Sequence, residues 1–590
     1  MKLNEPALTL SLLFTLTLGT FIPSAHAGPI TGTGTSANSS DPYGFTSTLL
    51  KIVQLDGPSR AKLFNIKDQK GESIFRKTGV EQKDQWATLD PTSDHVEGTS
   101  TEKLYKNFKI SASTNEVVVA VIDSGVDITH EDLKGHIWIN LVEFAGKLGV
   151  DDDNDGYIDD IYGWNFLGNA DGTNVGASTL EVTRIYKNLQ TKIAAGQSLN
   201  ASDTALLAQV TSQYNAGLSE AQSNYSTYQA YSAALTLLKA NGLTTETITG
   251  LSAVTSNDPF VLQAVQLAKL LFQANQTSVE VAEALAYFKT EIDFNYNLNF
   301  DSSSIVKDDP TVMSDIGYGN GDVTGPDATH GTHVAGIIAA NRQNNIGING
   351  QGMNVKIMPL RVVPEGDERD KDVANAVRFA VDHGARIINM SFGKDYSPNK
   401  DYVDSAMKYA EAMGVLIVHS AGNSSEDTSQ FQNHFPTRTI PVNATENRDI
   451  ETWIEVGASD KIKGADLPAS FSNYGKTSVD VFAPGVDIVS TVPGNQYASM
   501  SGTSMASPEV AGVAAILLEA YPNATAEEVK TSILTSTNQY VGLICNLPTD
   551  PATFAPGQVS PTVNFSSLSL SGGTVNADQA IVKMQTATVR

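Results

Sequence analysis

From Val117 onwards, short apolar runs alternate with segments of helical spacing. Val117-Val-Val-Ala-Val-Ile122, Lys356-Ile-Met-Pro-Leu-Arg-Val-Val363, Arg386-Ile-Ile-Asn-Met390 and Val415-Leu-Ile-Val418 are too continuously apolar for a surface strand and read as strands buried on both faces. Between them, Gly331 to Asn341, Asp372 to His383 and Asp401 to Met413 carry helical spacing, and the last two stop before Gly384 and Gly414. This alternation predicts an α/β fold, a parallel sheet with helices on both faces. Sites in such folds sit at the carboxyl ends of the strands.

One segment breaks the rhythm. From about Asp171 to Val312 the chain is rich in Ala, Gln, Leu and Ser with helical spacing, over Ala205 to Leu238, Phe260 to Phe272 and Val279 to Leu298. Thr277-Ser-Val-Glu280 has the spacing of a capping box, and Asn257-Asp-Pro259 opens the helix before it. The expectation for 171–312 is a helical hairpin or small bundle inserted into the α/β domain. It is either a solvated accessory lobe or a wall that shapes access to a cleft.

At the N-terminus, Lys2 precedes a short apolar run from Ala7 to Ile22, which closes on Ala25-His26-Ala27. That pattern predicts a signal peptide over 1–27, cleaved after Ala27, and a protein secreted or held in the cell envelope or periplasm. The alternative is an uncleaved anchor, but the run is short and Thr-rich for a membrane span. Residues 28–85 read as an N-terminal segment or short propiece, beginning with a Gly/Ser/Thr-rich stretch. The main domain then covers 86–590.

Composition narrows the partners. There are 39 Lys plus Arg against 65 Asp plus Glu, a net charge of −26, so the chain lacks the cationic footprint that nucleic acid or anionic lipid would require. Cys545 is the single cysteine, so no internal disulfide forms, and stability must come from packing or bound metal.

Four polar segments interrupt this pattern with residues of the kind that acyl transfer needs: a nucleophile, a base, a carboxylate to orient the base, and donors for an oxyanion. Ser504 stands in Ser501-Gly-Thr-Ser504-Met-Ala-Ser-Pro508, at the start of an apolar helical run, where helix N–H groups favour negative charge. His330 opens another helix, in Asp327-Ala-Thr-His330-Gly-Thr-His333. Asp123 ends the first strand, where a carboxylate is costly unless paired. Asn423, in Ser420-Ala-Gly-Asn423, is a candidate oxyanion donor. Of the other histidines, His95, His130, His136 and His434 lie in polar surroundings, His383 ends a helix, His333 reads as a packing residue, and His419 closes a strand with a possible supporting role.

Together, Val121-Ile-Asp123-Ser-Gly-Val126, His330-Gly-Thr-His-Val-Ala-Gly336 and Gly502-Thr-Ser504-Met-Ala-Ser-Pro508 resemble the three catalytic blocks of the subtilisin family of serine proteases, in the chain order Asp, His, Ser. The resemblance implies an endopeptidase with Asp123, His330 and Ser504 as its triad and Asn423 in the oxyanion hole. It implies protein or peptide substrates and, after removal of the leader, a monomer with no membrane span. It marks Ser391-Phe392-Gly393 and Ala421-Gly422-Asn423 as the two walls of the pocket for the residue before the scissile bond. Phe392, and the lack of an acidic residue in those segments, favour broad or apolar specificity. A departure is Glu509, where many relatives have histidine. The alternative function is a binding protein on a disabled fold of this type, working through the insertion.

Asp151-Asp-Asp153-Asn-Asp155-Gly156 has the oxygen spacing of a calcium loop at positions one, three and five, then glycine. Tyr162 stands where the closing glutamate would be. Ca2+ held by Asp151, Asp153, Asp155 and Asp159 is the expectation, and a solvated acidic turn the alternative.

Overall fold

A computed structural model describes residues 41–55, 57–68, 71, 73, 77–78, 85–110, 115–430, 434–443, 445–550, 554 and 558–588. The signal peptide expected over 1–27 lies outside the described residues. The account below concerns the unit Tyr43–Arg590.

The main sheet is built from β1 (Val117–Asp123), β2 (Trp164–Asn165), β3 (Val355–Arg361), β4 (Ile387–Met390), β5 (Leu416–Ser420), β6 (Trp453–Ser459) and β7 (Val481–Pro484). After a hairpin of β8 (Ile488–Val492) and β9 (Gln496–Met500), β10 (Asn538–Gln539) and β11 (Gly573–Thr574) complete it. Its order is β10-β11-β7-β6-β5-β4-β1-β3-β2, and every neighbouring pair is parallel except β10 with β11.

β1 pairs with β3 from Val117↔Val355 to Asp123↔Arg361 and with β4 on its other edge, and only Val118 of its seven residues is not buried. Alternation then divides its side chains. Val117, Val119 and Val121 join the layer of α7 (Thr329–Ala339) and α10 (Thr503–Ala520), while Ala120 and Ile122 join that of α8 (Asp370–Asp382) and α9 (Lys400–Ala412). The expected two-sided burial follows, and the carboxyl end of β1 opens between the N-termini of α7 and α10.

The insertion is helical, but narrower than 171–312. Its long helices are α3 (Glu181–Ala194), α4 (Ala201–Ala240), α5 (Pro259–Gln273) and α6 (Ser278–Thr290). Asn200 and Asp258 cap α4 and α5 by accepting from Asp203 N and Phe260 N, and the Thr277–Glu280 capping box forms as expected. The last helix ends at Thr290, short of Leu298, and passes into a wider turn over Glu291–Asn295. Beyond it Val306 packs in the core of the α/β body. Among the helices that precede the sheet, α1 (Phe45–Gln54) and α2 (Gly57–Phe64) pack on the insertion.

α10 is buried from Thr503 to Glu519, which places Glu509 in the interior. Gln351 Nε2 donates to its carboxyl group, and burial raises its pKa from 4.5 to about 8. The unfolded chain releases this proton at lower pH than the folded one, so the group favours folding less and less as pH rises from 4.5 to about 8. Glu509→Gln removes the ionisation and keeps an acceptor for Gln351. The expected outcome is a higher urea midpoint at about pH 9, a gain on the order of a few kcal/mol, and little change at about pH 4. Equal gains at both pH values would contradict it.

Candidate active site

Asp123 closes β1 at 1% exposure. Its Oδ1 accepts from Ser124 N at 2.7 Å and faces His330 Nδ1 at 2.6 Å. Nδ1 must carry the proton to donate into that carboxylate, which leaves Nε2 as the basic nitrogen of the neutral ring. His330 stands in the first turn of α7, and the next residue, Gly331, comes so close to Gly125 that any side chain there would collide with its carbonyl oxygen. That contact brings the start of α7 onto the end of β1.

Ser504 is the second residue of α10. Its hydroxyl donates to Ser391 O at 3.0 Å, at the end of β4. Asn423 Oδ1 accepts from Thr503 N at 2.8 Å and Thr503 Oγ1 at 3.0 Å. With the amide oxygen held by two donors, its NH2 group is the end Asn423 presents to other partners. Thr503 N is thereby capped and Met505 N bonds to Gly502 O, so Ser504 N is the one of the first three α10 amides with no acceptor among the described residues. Two donors and a hydroxyl thus converge at one helix start.

The adjoining pocket, about 320 Å³, is lined by Phe392, Gly393, Gly422, Asn423 and Ser504, and on its far side by Leu180, Val182 and Tyr296 of the insertion. Ser391 and Ala421, expected in its walls, lie behind them at no more than 1% exposure. Ser391 Oγ donates to Ser504 O at 2.9 Å, so it braces the helix start.

The profile of the Subtilase family matches residues 114–551. This chain belongs to the Subtilase family. It is similar to the thermophilic serine proteinase of Bacillus sp. (strain AK1), 46% identical over 189 residues, which are 32% of this chain and 42% of that protein. Subtilisin DY of Bacillus licheniformis is 37% identical over 211 residues, 35% of this chain and 70% of the relative. Thermitase of Thermoactinomyces vulgaris is 37% identical over 189 residues, 32% and 60% respectively. The chain thus spans less than half the length of the first of these relatives.

The pocket of this subtilase has a floor that the sequence did not mark. His434, read as a histidine in polar surroundings, lies between the two walls: a Cβ on Gly393 would strike its ring, and one on Gly422 would lie 3.0 Å from its Cε1. His434 Nε2 donates to Ser420 O at 3.1 Å, and burial and the neighbouring His419 bring its pKa down to about 4. The floor is therefore uncharged at neutral pH. His419 is fully buried behind it, held by Glu455 Oε1 at 3.0 Å and Phe392 O at 2.9 Å.

The insertion is tied to the pocket wall by buried charge. Lys394 Nζ lies 3.0 Å from Glu181 Oε2 and 2.8 Å from Asp370 Oδ1, and Arg184 lies 2.6 Å from the same Glu181 oxygen. Lys394 directly follows the wall residue Gly393, and Glu181 is the first residue of α3.

In the acidic loop, carboxylate oxygens of Glu143, Asp151 and Asp153 lie within 4.8 Å of one another, and a second group joins Asp153 and Asp155 to His383. Asp159 stands outside both: its Oδ2 accepts from Gly149 N at 2.7 Å. Glu143 takes its place, 3% exposed and accepting from Asp152 N at 2.6 Å and Asp159 N at 3.1 Å. His383, read only as the end of a helix, points its Nε2 at Asp155 Oδ2, 2.8 Å away, and at Asp160 Oδ2, 3.4 Å away. Neither partner has a motif of its own, since both reach the loop from other elements.

Proposed function

We propose that this chain is an exported serine endopeptidase that cleaves peptide bonds through an acyl-enzyme, with Asp123, His330 and Ser504 as its triad and Asn423 with Ser504 N as its oxyanion donors. The observation that carries the reading is the 2.6 Å bond from His330 Nδ1 to the buried Asp123, at the mouth of the cleft where Ser504 begins α10. Family membership supports it. Export rests on the leader pattern at residues 1–27, and no helix among the described residues is long and apolar enough to cross a membrane.

In this mechanism the Ser504 hydroxyl rotates from Ser391 O toward His330, and Nε2 takes its proton as Oγ attacks the substrate carbonyl carbon. Asp123 stabilises the resulting imidazolium. The carbonyl electrons move onto oxygen, where Ser504 N–H and the Asn423 NH2 stabilise the charge. Collapse breaks the C–N bond, and His330 returns its proton to the leaving amine. Water, deprotonated by His330, then releases the acid and restores Ser504.

We assign the pocket a broad preference, limited in depth by His434, since Asp367, Lys394 and Asp395 line it together with Phe392. The same reading gives the acidic loop a structural Ca2+ held by Glu143, Asp151 and Asp153, with Asp155 beside them. The fit rests on oxygen-only donors and on Asp153 Oδ1, which is buried without a hydrogen-bond partner. Such an ion would tie the Leu141–Ala145 helix, which carries Glu143, to the loop.

The following outcomes test this reading. Ser504→Ala is expected to abolish casein hydrolysis, and Asn423→Ala to lower kcat by roughly 10²–10³ with KM little changed, a magnitude taken from the corresponding donor of subtilisin. A rise in KM at constant kcat would remove Asn423 from the oxyanion hole. His434→Gly is expected to raise kcat/KM for Phe over Ala before the scissile bond by roughly 10-fold, since each methylene admitted to an apolar pocket contributes about 1 kcal/mol. An unchanged ratio would show that His434 does not limit the pocket. For the loop, calcium at a hundredfold excess over Kd should stabilise the Ser504→Ala protein by about 2.7 kcal/mol, visible as a higher Tm than in EDTA, and Asp153→Ala should lose most of that difference. Equal Tm values with calcium and with EDTA would leave the loop a solvated turn.

A further inference from the structure

Besides the uncharged His434, three charged residues line the pocket beside Ser504: Asp367, Lys394 and Asp395. Two of them are already compensated. Lys394 Nζ is held by Glu181 and Asp370, at 3.0 and 2.8 Å. Asp367 Oδ2 accepts from Glu181 N at 2.7 Å, and the cations Arg184 and Lys394 offset its charge. Asp395 differs, because among the described residues no cation pairs with it and its charged neighbours are Asp367 and Glu426. It stands in the exposed wall of the pocket with protein crowding it from behind, and burial together with those two like charges raises its pKa to about 6. Asp395 is therefore ionised at neutral pH, and a cation brought to it relieves repulsion without displacing a partner.

The same residue stands where two cavities meet. A second cavity, about 1020 Å³, runs between the insertion and the α/β body, and Gln213, Asp395 and Tyr396 line both. Its cations Arg184, Lys192, Arg369 and Lys371 are each paired within the chain, with Glu181, Asp203, Asp301 and Asp308 respectively, so none is left for Asp395. Asp395 is also held in place. Just before it, Lys394 N donates to Phe435 O at 3.0 Å and Phe435 N to Lys394 O at 2.9 Å, which ties the pocket wall to the segment that carries His434. Just after it, Tyr396 OH accepts from Gln209 Nε2 of α4 at 2.9 Å and donates to Gln213. A carboxylate fixed from both sides loses little freedom on meeting a ligand. The walls around it are apolar, with Phe392 on one side and Leu180 and Val182 on the other. Lysine and arginine carry a charged head on an apolar stem, and such a pocket accommodates both parts.

We propose that Asp395 is a specificity-determining residue, and that it makes peptides with Lys or Arg before the scissile bond the best substrates of this pocket. That role rests on the endopeptidase function proposed above and sharpens the broad preference given there. The stem of the substrate side chain lies between Phe392 and Val182. Because His434 closes the pocket from below, the cationic head turns aside to Asp395, at the junction with the second cavity. The insertion contributes Val182 to the apolar wall and, through Gln209 and Gln213, the support of Tyr396.

The test measures kcat/KM on peptides that differ only before the scissile bond, with arginine, norleucine or glutamate there. Arginine is expected to exceed norleucine, and Asp395→Asn to lower that ratio by roughly 10- to 100-fold, the span of one charge-assisted hydrogen bond. Asp395→Glu, which keeps the charge, is expected to keep most of the preference. Asp395→Lys is expected to reverse the order of arginine and glutamate, which a loss of packing alone would not do. In parallel, Kd values of the arginine and norleucine peptides are measured on the Ser504→Ala protein, with and without Asp395→Asn. Cleavage with an arginine-to-norleucine ratio that Asp395→Asn leaves unchanged would overturn the role of Asp395 and leave the endopeptidase function standing. No cleavage of any peptide, together with an arginine preference in Kd that Asp395→Asn removes, would overturn the endopeptidase function and keep Asp395 as the site that takes the cation. No cleavage and equal Kd values would overturn both.

Discussion

Asp123 is a carboxylate at the end of a strand whose other residues are all apolar, 1% exposed, with sheet neighbours on both sides. A charge in that position costs several kcal/mol unless it is bonded, and a core residue of the same size would remove the cost. The bonds it receives come from Ser124 N and His330. The second bond cannot form unless α7 starts over the end of β1, and α7 is held there by packing against both β1 and α10. The position of His330 is thus a consequence of satisfying one buried acid. Arg361, at the end of the adjacent β3, secures the same corner, donating to Ser124 O at 2.9 Å and to Asn165 Oδ1 at 3.1 Å.

Ser504 is set by a different means. α10 is buried along almost its whole length and passes beneath the sheet, so its first turn cannot move independently of the core. Asn423 caps that turn through Thr503 and so uses its oxygen as a structural acceptor, which orients its NH2. One side chain therefore joins the strand end after β5 to the helix that carries Ser504.

Much of this was legible in the sequence, for a physical reason. Strands buried on both faces leave unbroken apolar runs, so β1, β3, β4 and β5 stood out within a residue or two, and polar residues at their ends could only be costly or used. The Thr277–Glu280 capping box and the helices of the insertion are local signals too. What was missed depends on partners distant in the chain. β7 is four residues long and ends in Pro484, too short to carry a period. Glu143 and His383 enter the acidic loop from separate helices, whereas Asp159, which the local spacing favoured, turns away to Gly149. His434 looked ordinary because its neighbours in sequence are polar, while its neighbours in space are two glycines of the pocket wall. The packing of α1 and α2 was unreadable because the core they complete begins more than a hundred residues later.

A long insertion between Asp123 and His330 would be expected to disturb a hydrogen bond that needs the two side chains in contact. The structure avoids this by closing the insertion at its root. Leu180 N donates to Asn295 O at 3.1 Å, and Asn295 Nδ2 donates to Ser178 O at 2.8 Å, so the chain leaves and rejoins the α/β body at nearly the same place. The entropic cost of an excursion grows only slowly with its length once its ends are fixed together, so α3 to α6 add little strain to the sheet. The buried ion pairs of Glu181 with Arg184 and Lys394 sit at this root, where removing one partner would leave a charge uncompensated. Such pairs specify how the insertion stands more than they stabilise it. Because Lys394 follows the pocket wall, the orientation they fix is the one that places Leu180, Val182 and Tyr296 on the far side of the cleft. An insertion anchored in this way adds surface to the substrate site without altering the distance between Asp123 and His330.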